Sequence, residues 1–187
     1  MRPWLNWIER LATDQEVGGS SPSGRTNILY SGKILMTEHE RWMELAYREA
    51  ERAFEKDEVP VGAVVVQDNQ VIGKGHNQIE SLQDPTAHAE ILAITAAANH
   101  NGSWRLDEAV LYVTLEPCPM CAGAVLLSRI PLVVYGASDP RFGACGSVIN
   151  VLQEQRFHMK HEILRGILAE KCQGILISFF QNLRSNN

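Results

Sequence analysis

The pattern of apolar and polar positions changes character at residue 36. Thr37, Glu38, His39 and Glu40 form a capping box, with a hydroxyl at the helix start and a carboxylate three residues on. Apolar residues then recur at Trp42, Leu45, Ala46, Ala50, Ala53 and Phe54, the spacing of one face of a helix about five turns long. Residues 61–66 read as a buried strand, Asp68 and Asn69 as a turn, and 71–75 as the returning arm of a hairpin. The pattern next predicts a helix opening at Asp84-Pro85-Thr86 and running to about Asn99, then a strand over 109–115 and a helix over 119–128. A strand over 132–135 ends in the turn-rich residues 136–140, and a short strand at 163–164 precedes a helix over 168–183. No internal repeat is present. Strands that alternate with helices imply one layered α/β domain.

Residues 1–35 do not share this regularity. Trp4, Trp7, Ile8 and Leu11 make at most one short amphipathic turn, and Gly18-Gly-Ser-Ser-Pro-Ser-Gly24 has the composition of a linker. A transit peptide would be poor in acids, whereas this segment carries Glu9, Asp14 and Glu16. Gly-Gly-Ser-Ser-Pro is also what a reading frame through the T-arm of a tRNA gene encodes, and Met36 stands directly before the capping box. The expectation is a disordered or mis-assigned extension over 1–35, with the folded domain over 36–187.

Composition narrows the class. Apolar residues at 45% and charged residues at 21% are those of an ordinary globular chain, and no apolar run reaches the length of a membrane span. No charged n-region with an apolar h-region opens the chain, so a reducing, cytoplasmic setting is expected. The net charge of −5 argues against a surface coated in phosphate-binding groups. The charge is uneven, however: residues 36–140 hold 7 basic against 16 acidic side chains, and residues 141–187 hold 6 against 3. A basic end on an acidic body leaves room for a local nucleic-acid contact.

The chemistry gathers at Cys118 and Cys121, in Thr114-Leu-Glu-Pro-Cys-Pro-Met-Cys121 at a strand-to-helix junction. A Cys-x-x-Cys pair alone fits a redox disulfide, half of a structural zinc site or half of a catalytic one. One element upstream, Thr86-Ala-His-Ala-Glu90 places His88 and Glu90 two residues apart. Together these spell H-x-E…P-C-x-x-C, the pattern of zinc-dependent base deaminases. The spacing of Cys118 and Cys121 puts both sulfurs on the first turn of a helix, where the dipole favours thiolates. His88 and Glu90, by contrast, would lie about 200° apart on an ideal helix, so that helix must start irregularly if both are to face one ion. A structural zinc would need a fourth ligand. Cys145 and Cys172 are available but not in a metal-spaced pair, and read as small buried hydrophobes. His39, His76, His100, His158 and His161 read as surface or satisfied polar groups, and Phe179-Phe180 as core.

Further stretches carry a closer likeness. Val59-Pro-Val-Gly-Ala-Val64, Asn77, Asp84 to Glu90, Leu111 to Cys118, Met120-Cys-Ala-Gly-Ala124, Ser128-Arg-Ile130 and Tyr135-Gly-Ala-Ser-Asp139 resemble the bacterial tRNA-specific adenosine deaminases, from about residue 37 to the end. The resemblance implies the cytidine deaminase-like fold, a three-layer α/β/α sandwich with a five-stranded mixed sheet. It implies a homodimer with one zinc ion per subunit, which converts adenosine to inosine at the wobble position (34) of a tRNA anticodon arm, an arginine tRNA being expected. His88, Cys118 and Cys121 match the zinc ligands and Glu90 the proton shuttle. Asn77 matches a position that hydrogen-bonds the target nucleotide, and Asp139 a loop position near the anticodon. The last helix contributes Phe179, Phe180 and Arg184 to RNA binding by the same likeness, although this chain lacks a longer basic tail. Two alternatives remain. A free-base or nucleotide deaminase of guanine, cytidine or deoxycytidylate type would share the fold, and a non-catalytic zinc-stabilised RNA-binding subunit would have no use for Glu90.

Overall fold

The computed structural model describes residues 36–159 and 161–185. The extension expected over 1–35 lies outside the described residues. Helix α1 (Glu38–Glu55) leads into a hairpin of β1 (Gly62–Gln67) and β2 (Gln70–His76); a short helix α2 (Ile79–Leu82) and α3 (Ala89–Asn101) follow. Then come β3 (Val110–Leu115), α4 (Pro119–Ser128), β4 (Leu132–Ala137), a 3₁₀ turn at Gln155–Phe157, β5 (Glu162–Arg165) and α5 (Ala169–Ser185). The sheet has five strands in the order β2-β1-β3-β4-β5. It is mixed: β1 pairs antiparallel with β2 and β3, and β3, β4 and β5 run parallel.

Burial on both faces follows from the alternation along β1. Ala63 and Val65 join the cluster that holds Ala89, Ala93 and Ala97 of α3. Val64 and Val66 join Trp42, Met43 and Ala46 of α1 on the opposite face. Each fully buried valine contributes roughly 1.5–3 kcal/mol relative to exposure, so both helices are fastened to one strand. Register carries the pattern across the sheet, with Ala63 opposite Val113 and Val113 opposite Tyr135. The α3 helix lies so close over β2 that a Cβ on Gly73 would stand 2.3 Å from the Ala93 carbonyl oxygen, and one on Gly75 would stand 2.6 Å from that of Ala89. Those two glycines set the height of α3, and with it the position of its first residues.

The capping box at Thr37 forms in both directions: Thr37 Oγ1 accepts from the Glu40 amide at 3.2 Å, and Thr37 N donates to Glu40 Oε2 at 2.7 Å. The helix expected to open at Asp84 instead begins at Ala89. Asp84 Oδ1 accepts from both the Thr86 amide and its hydroxyl, at 2.8 and 2.7 Å, and this side-chain bonding draws the backbone into a turn in place of a helical start. The pattern also gave no sign of α2, whose four residues are too few for a helical period. Strand β4 runs two residues past the expected end because its parallel pairing with β3 continues to Ala137. Among the described residues no helix is long and apolar enough to cross a membrane.

Candidate active site

Two helix starts meet at one point. His88 is the N-cap of α3, with φ −73° and ψ 151°, and Cys118 is the N-cap of α4, with φ −72° and ψ 173°. Their carbonyls accept the first helical bonds, from Leu92 at 3.1 Å and Ala122 at 2.8 Å, but neither side chain caps its own helix. The imidazole and the thiol are therefore free to turn towards each other. His88 Nδ1 lies 3.7 Å from Cys118 Sγ and 3.5 Å from Cys121 Sγ, and the three donor atoms all lie within 4.8 Å of one another. This cluster can hold a metal ion. The extended backbone of His88 also removes the angular obstacle in the sequence, since His88 stands outside the helical repeat and Glu90 inside it.

Electrostatics in the cluster reflect crowded protons. The Cys118 thiol is lowered to about 4, chiefly by its hydrogen bond with Cys121 and further by His88, against the opposing effect of burial. Cys121 moves the other way, raised by its hydrogen bond with Cys118 and by burial. His88 is raised, chiefly by the bond to Cys118. Glu90, 3% exposed, is raised by burial. Binding a cation among these donors requires both thiols to give up their protons.

Above the cluster opens a cavity of about 920 Å³, and His88, Glu90, Cys118, Asn77 and Asp139 all line it. Cys121 is fully buried beneath. Asn77 follows the end of β2, its amide donating to the Val61 carbonyl at 3.0 Å and its Nδ2 to Glu58 Oε2 at 3.3 Å. Asp139 is buried, and its Oδ1 accepts from the backbone amides of Arg141 and Phe142 at 2.9 and 3.2 Å. That turn sets Arg141 and Phe142 at the mouth, with Phe142 57% exposed. Burial raises the Asp139 carboxyl above its usual range.

Two buried acids that the sequence reading passed over hold the walls. Glu58 is fully buried and accepts from Asn77, Glu80 N and Ser81 N. Glu116 accepts from the amides of Asp139, Cys145 and Ser147, at 3.0–3.1 Å, and from the Ser147 hydroxyl. For Glu116 the available signal was an acid ending the apolar run 109–115 directly before Pro117; Glu58 follows Glu55-Lys56-Asp57 and carried no such signal. Phe179 and Phe180 are core residues, 5% and 4% exposed, in edge contact with each other at 5.3 Å. Both also reach the cavity wall. Cys145 and Cys172 are fully buried free thiols, and His161 is buried with Nδ1 2.7 Å from the Ile130 carbonyl oxygen.

The family model for MafB19-like deaminases matches residues 37–184. A tRNA-specific adenosine deaminase of Bacillus subtilis (strain 168) is 52% identical over 149 residues, which cover 80% of this chain and 92% of the relative. The chain belongs to this deaminase family. A relative of the same description from Aquifex aeolicus (strain VF5) is 45% identical over 79% of this chain and 97% of its own. Among solved structures, one from a study of A-to-I editing by tRNA:A34 deaminases at the wobble position superposes with a TM-score of 0.70 at 44% identity, covering 72% of this chain and 98% of that one. A guanine deaminase of Bacillus subtilis reaches a TM-score of 0.52 at 38% identity, over 55% of this chain and 66% of its own. The family accounts for the five-stranded mixed sheet, and the deaminase placed on it is an enzyme.

Proposed function

We propose that residues 36–187 form the catalytic unit of a zinc-dependent enzyme that deaminates adenosine to inosine at position 34, the wobble position, of tRNA. The observation that carries this reading is Glu90, an acid buried in the cavity wall beside a three-donor cluster. His88, Cys118 and Cys121 would hold the ion. Tetrahedral zinc, with bonds of about 2.3 Å to sulfur and 2.0–2.1 Å to nitrogen, separates its S and N donors by about 3.6 Å. The separations of 3.7 and 3.5 Å at His88 support zinc, as does the S₂N donor set. Three protein ligands would match the count of a catalytic zinc site, in which the remaining position is kept for water.

Bound there, zinc supplies the Lewis acidity that lets water act as a nucleophile near neutral pH. Glu90 takes a proton from the attacking water and delivers it to the purine ring nitrogen; it then takes the remaining proton from the new hydroxyl and passes it to the departing amine, so that a carbonyl forms as ammonia leaves. Water is consumed, and inosine and ammonia are the products. Burial of Glu90 suits this double duty because it holds the carboxyl above its ordinary range. Asn77 hydrogen-bonds the target nucleoside, and Asp139 shapes the mouth through Arg141 and Phe142. A walled cavity admits only a base that has left its stack, so the splayed anticodon arm is the substrate and duplex RNA is not. An arginine tRNA is the expected substrate, by the likeness to the family. A homodimer is the expected assembly, by the likeness to the family. Four free thiols support a reducing, cytoplasmic setting.

The likeness to guanine deaminase favours a second reading, a free-base deaminase on the same fold. Incubation of the zinc-loaded full chain with an anticodon stem-loop bearing A34, beside a Glu90→Ala control, separates the two. Inosine at that single position, absent in the control, is the expected result. Absence of inosine together with turnover of free guanine would replace the RNA substrate with a small molecule.

A further inference from the structure

Glu58 belongs to no element of the zinc chemistry, yet it is 0% exposed and stands behind the cavity wall. Three N–H groups converge on its carboxylate. Oε2 accepts from Asn77 Nδ2 at 3.3 Å and from the Glu80 amide at 3.2 Å, and Oε1 accepts from the Ser81 amide at 2.7 Å. An acid that receives three donors acts as an acceptor only. Asn77 therefore has no choice of amide orientation: its NH₂ must face Glu58, and its carbonyl oxygen is left on the cavity side. With 5% of its surface exposed and its backbone tied to Val61, Asn77 has little room to adapt in any other way.

We infer that Glu58 is a positioning residue that selects, through Asn77, a hydrogen-bond acceptor for the cavity wall, and so makes this wall specific for a donor on the target nucleoside. The inference rests on the deaminase reading above and deepens it. Its sign can be reversed by moving one carboxylate across one hydrogen bond. In Glu58→Gln the amide oxygen stays with the Ser81 amide, the shortest of the three bonds, and the new NH₂ faces both Asn77 and the Glu80 amide, which loses its acceptor in this variant and in the double variant alike. Asn77 must then turn its oxygen towards residue 58 and its NH₂ into the cavity, which presents the wrong polarity to the nucleoside. In Asn77→Asp alone, two carboxylates face each other, and one must give way. In the double variant Glu58→Gln with Asn77→Asp, residue 58 donates to the carboxylate now at position 77, and an oxygen faces the cavity again.

The test is a double-variant cycle on kcat/KM for the A34 stem-loop, with bound zinc and thermal melts recorded for each protein. The Kd for the stem-loop is measured in a Glu90→Ala background. Glu58→Gln should lose roughly 10–100-fold in kcat/KM and bind the stem-loop more weakly, with zinc unchanged. The double variant should recover at least about tenfold over Glu58→Gln. A role in folding alone predicts additive losses and no recovery. Additive losses, or Glu58→Gln within about threefold of wild type, would overturn the inference. If Glu58→Gln fails to fold, the inference stands or falls on whether Glu58→Gln rescues Asn77→Asp in the double variant. If the wild type makes no inosine but turns over a free base, the substrate reading fails, and the same cycle decides the Glu58 inference on that base.

Discussion

The floor and the walls of the cavity are built by different means. On the floor, His88, Cys118 and Cys121 come from the first turns of two helices whose N-terminal ends meet, and their positions follow from the packing of α3 on β2 and of α4 against α3. The walls are loops. Residues 77–81 gather around the Glu58 carboxylate, and residues 139–147 around that of Glu116, each loop aiming its backbone N–H groups at one buried acid. Helices satisfy their own backbone and can place a side chain by packing alone. A loop brought next to a cavity has unpaired N–H groups, and a buried carboxylate satisfies several of them at once. The contrast teaches that the floor tolerates change in the wall side chains better than the reverse, because the walls meet the floor through backbone bonds, from Gln78 N to the Ala87 carbonyl at 3.0 Å and from Ala144 N to the Pro117 carbonyl at 2.8 Å, and not through the three donor side chains.

The comparison predicts separable defects, the largest on the floor. Cys121→Ser removes a sulfur donor with no change in the loops. Metal retention, read by elemental analysis after dialysis against a chelator, should fall about 10²-fold or more, beyond the 10–100-fold typical of groups one step removed from an ion. Activity should fall with it, while the fold persists by circular dichroism. Full metal content in this variant would break the assignment of the cluster.

An intermediate effect is expected at the second wall. Glu116→Ala leaves three backbone amides and a hydroxyl without their acceptor, at a cost of about 3 kcal/mol or more. A drop of about 6–12 °C in melting temperature follows for a chain of this size. Metal content at low temperature should stay at the wild-type level, since Glu116 touches none of the three donors. Loss of metal in step with loss of stability would join floor and wall into one unit.

The smallest effect sharpens the role of Asp139. Asp139→Asn keeps an oxygen for the Arg141 and Phe142 amides but removes a charge that burial disfavours. Because the folded-state value is raised above the unfolded one, ionisation of Asp139 costs stability above its folded range and nothing below the ordinary value of about 3.9. Thermal melts between pH 4 and 8 should therefore show the variant about 2 °C more stable at neutral pH, with the advantage fading as pH falls towards 4. A variant that melts lower than wild type at neutral pH would mean that the charge itself holds the turn.

Much of this molecule is determined by short-range pattern. The capping box at Thr37, the period of α1, the apolar runs of β1, β3 and β4, and the start of α4 at Pro119 all follow from interactions within a few residues, which is why they could be read from the chain alone. The four residues of the deaminase motif were legible for a related reason, since two of them sit at helix starts that local sequence specifies. Tertiary structure alone decided the rest. The start of α3 moved from Asp84 to Ala89 because a side chain competed for the backbone, and only that shift lets His88 and Glu90 face one cavity. Glu58 and Glu116 read as ordinary acids along the chain, because their partners lie 19–31 residues away and come together only when the sheet closes. A buried charge is stable only where donors from distant segments converge, and that convergence is a property of the fold that no local pattern contains.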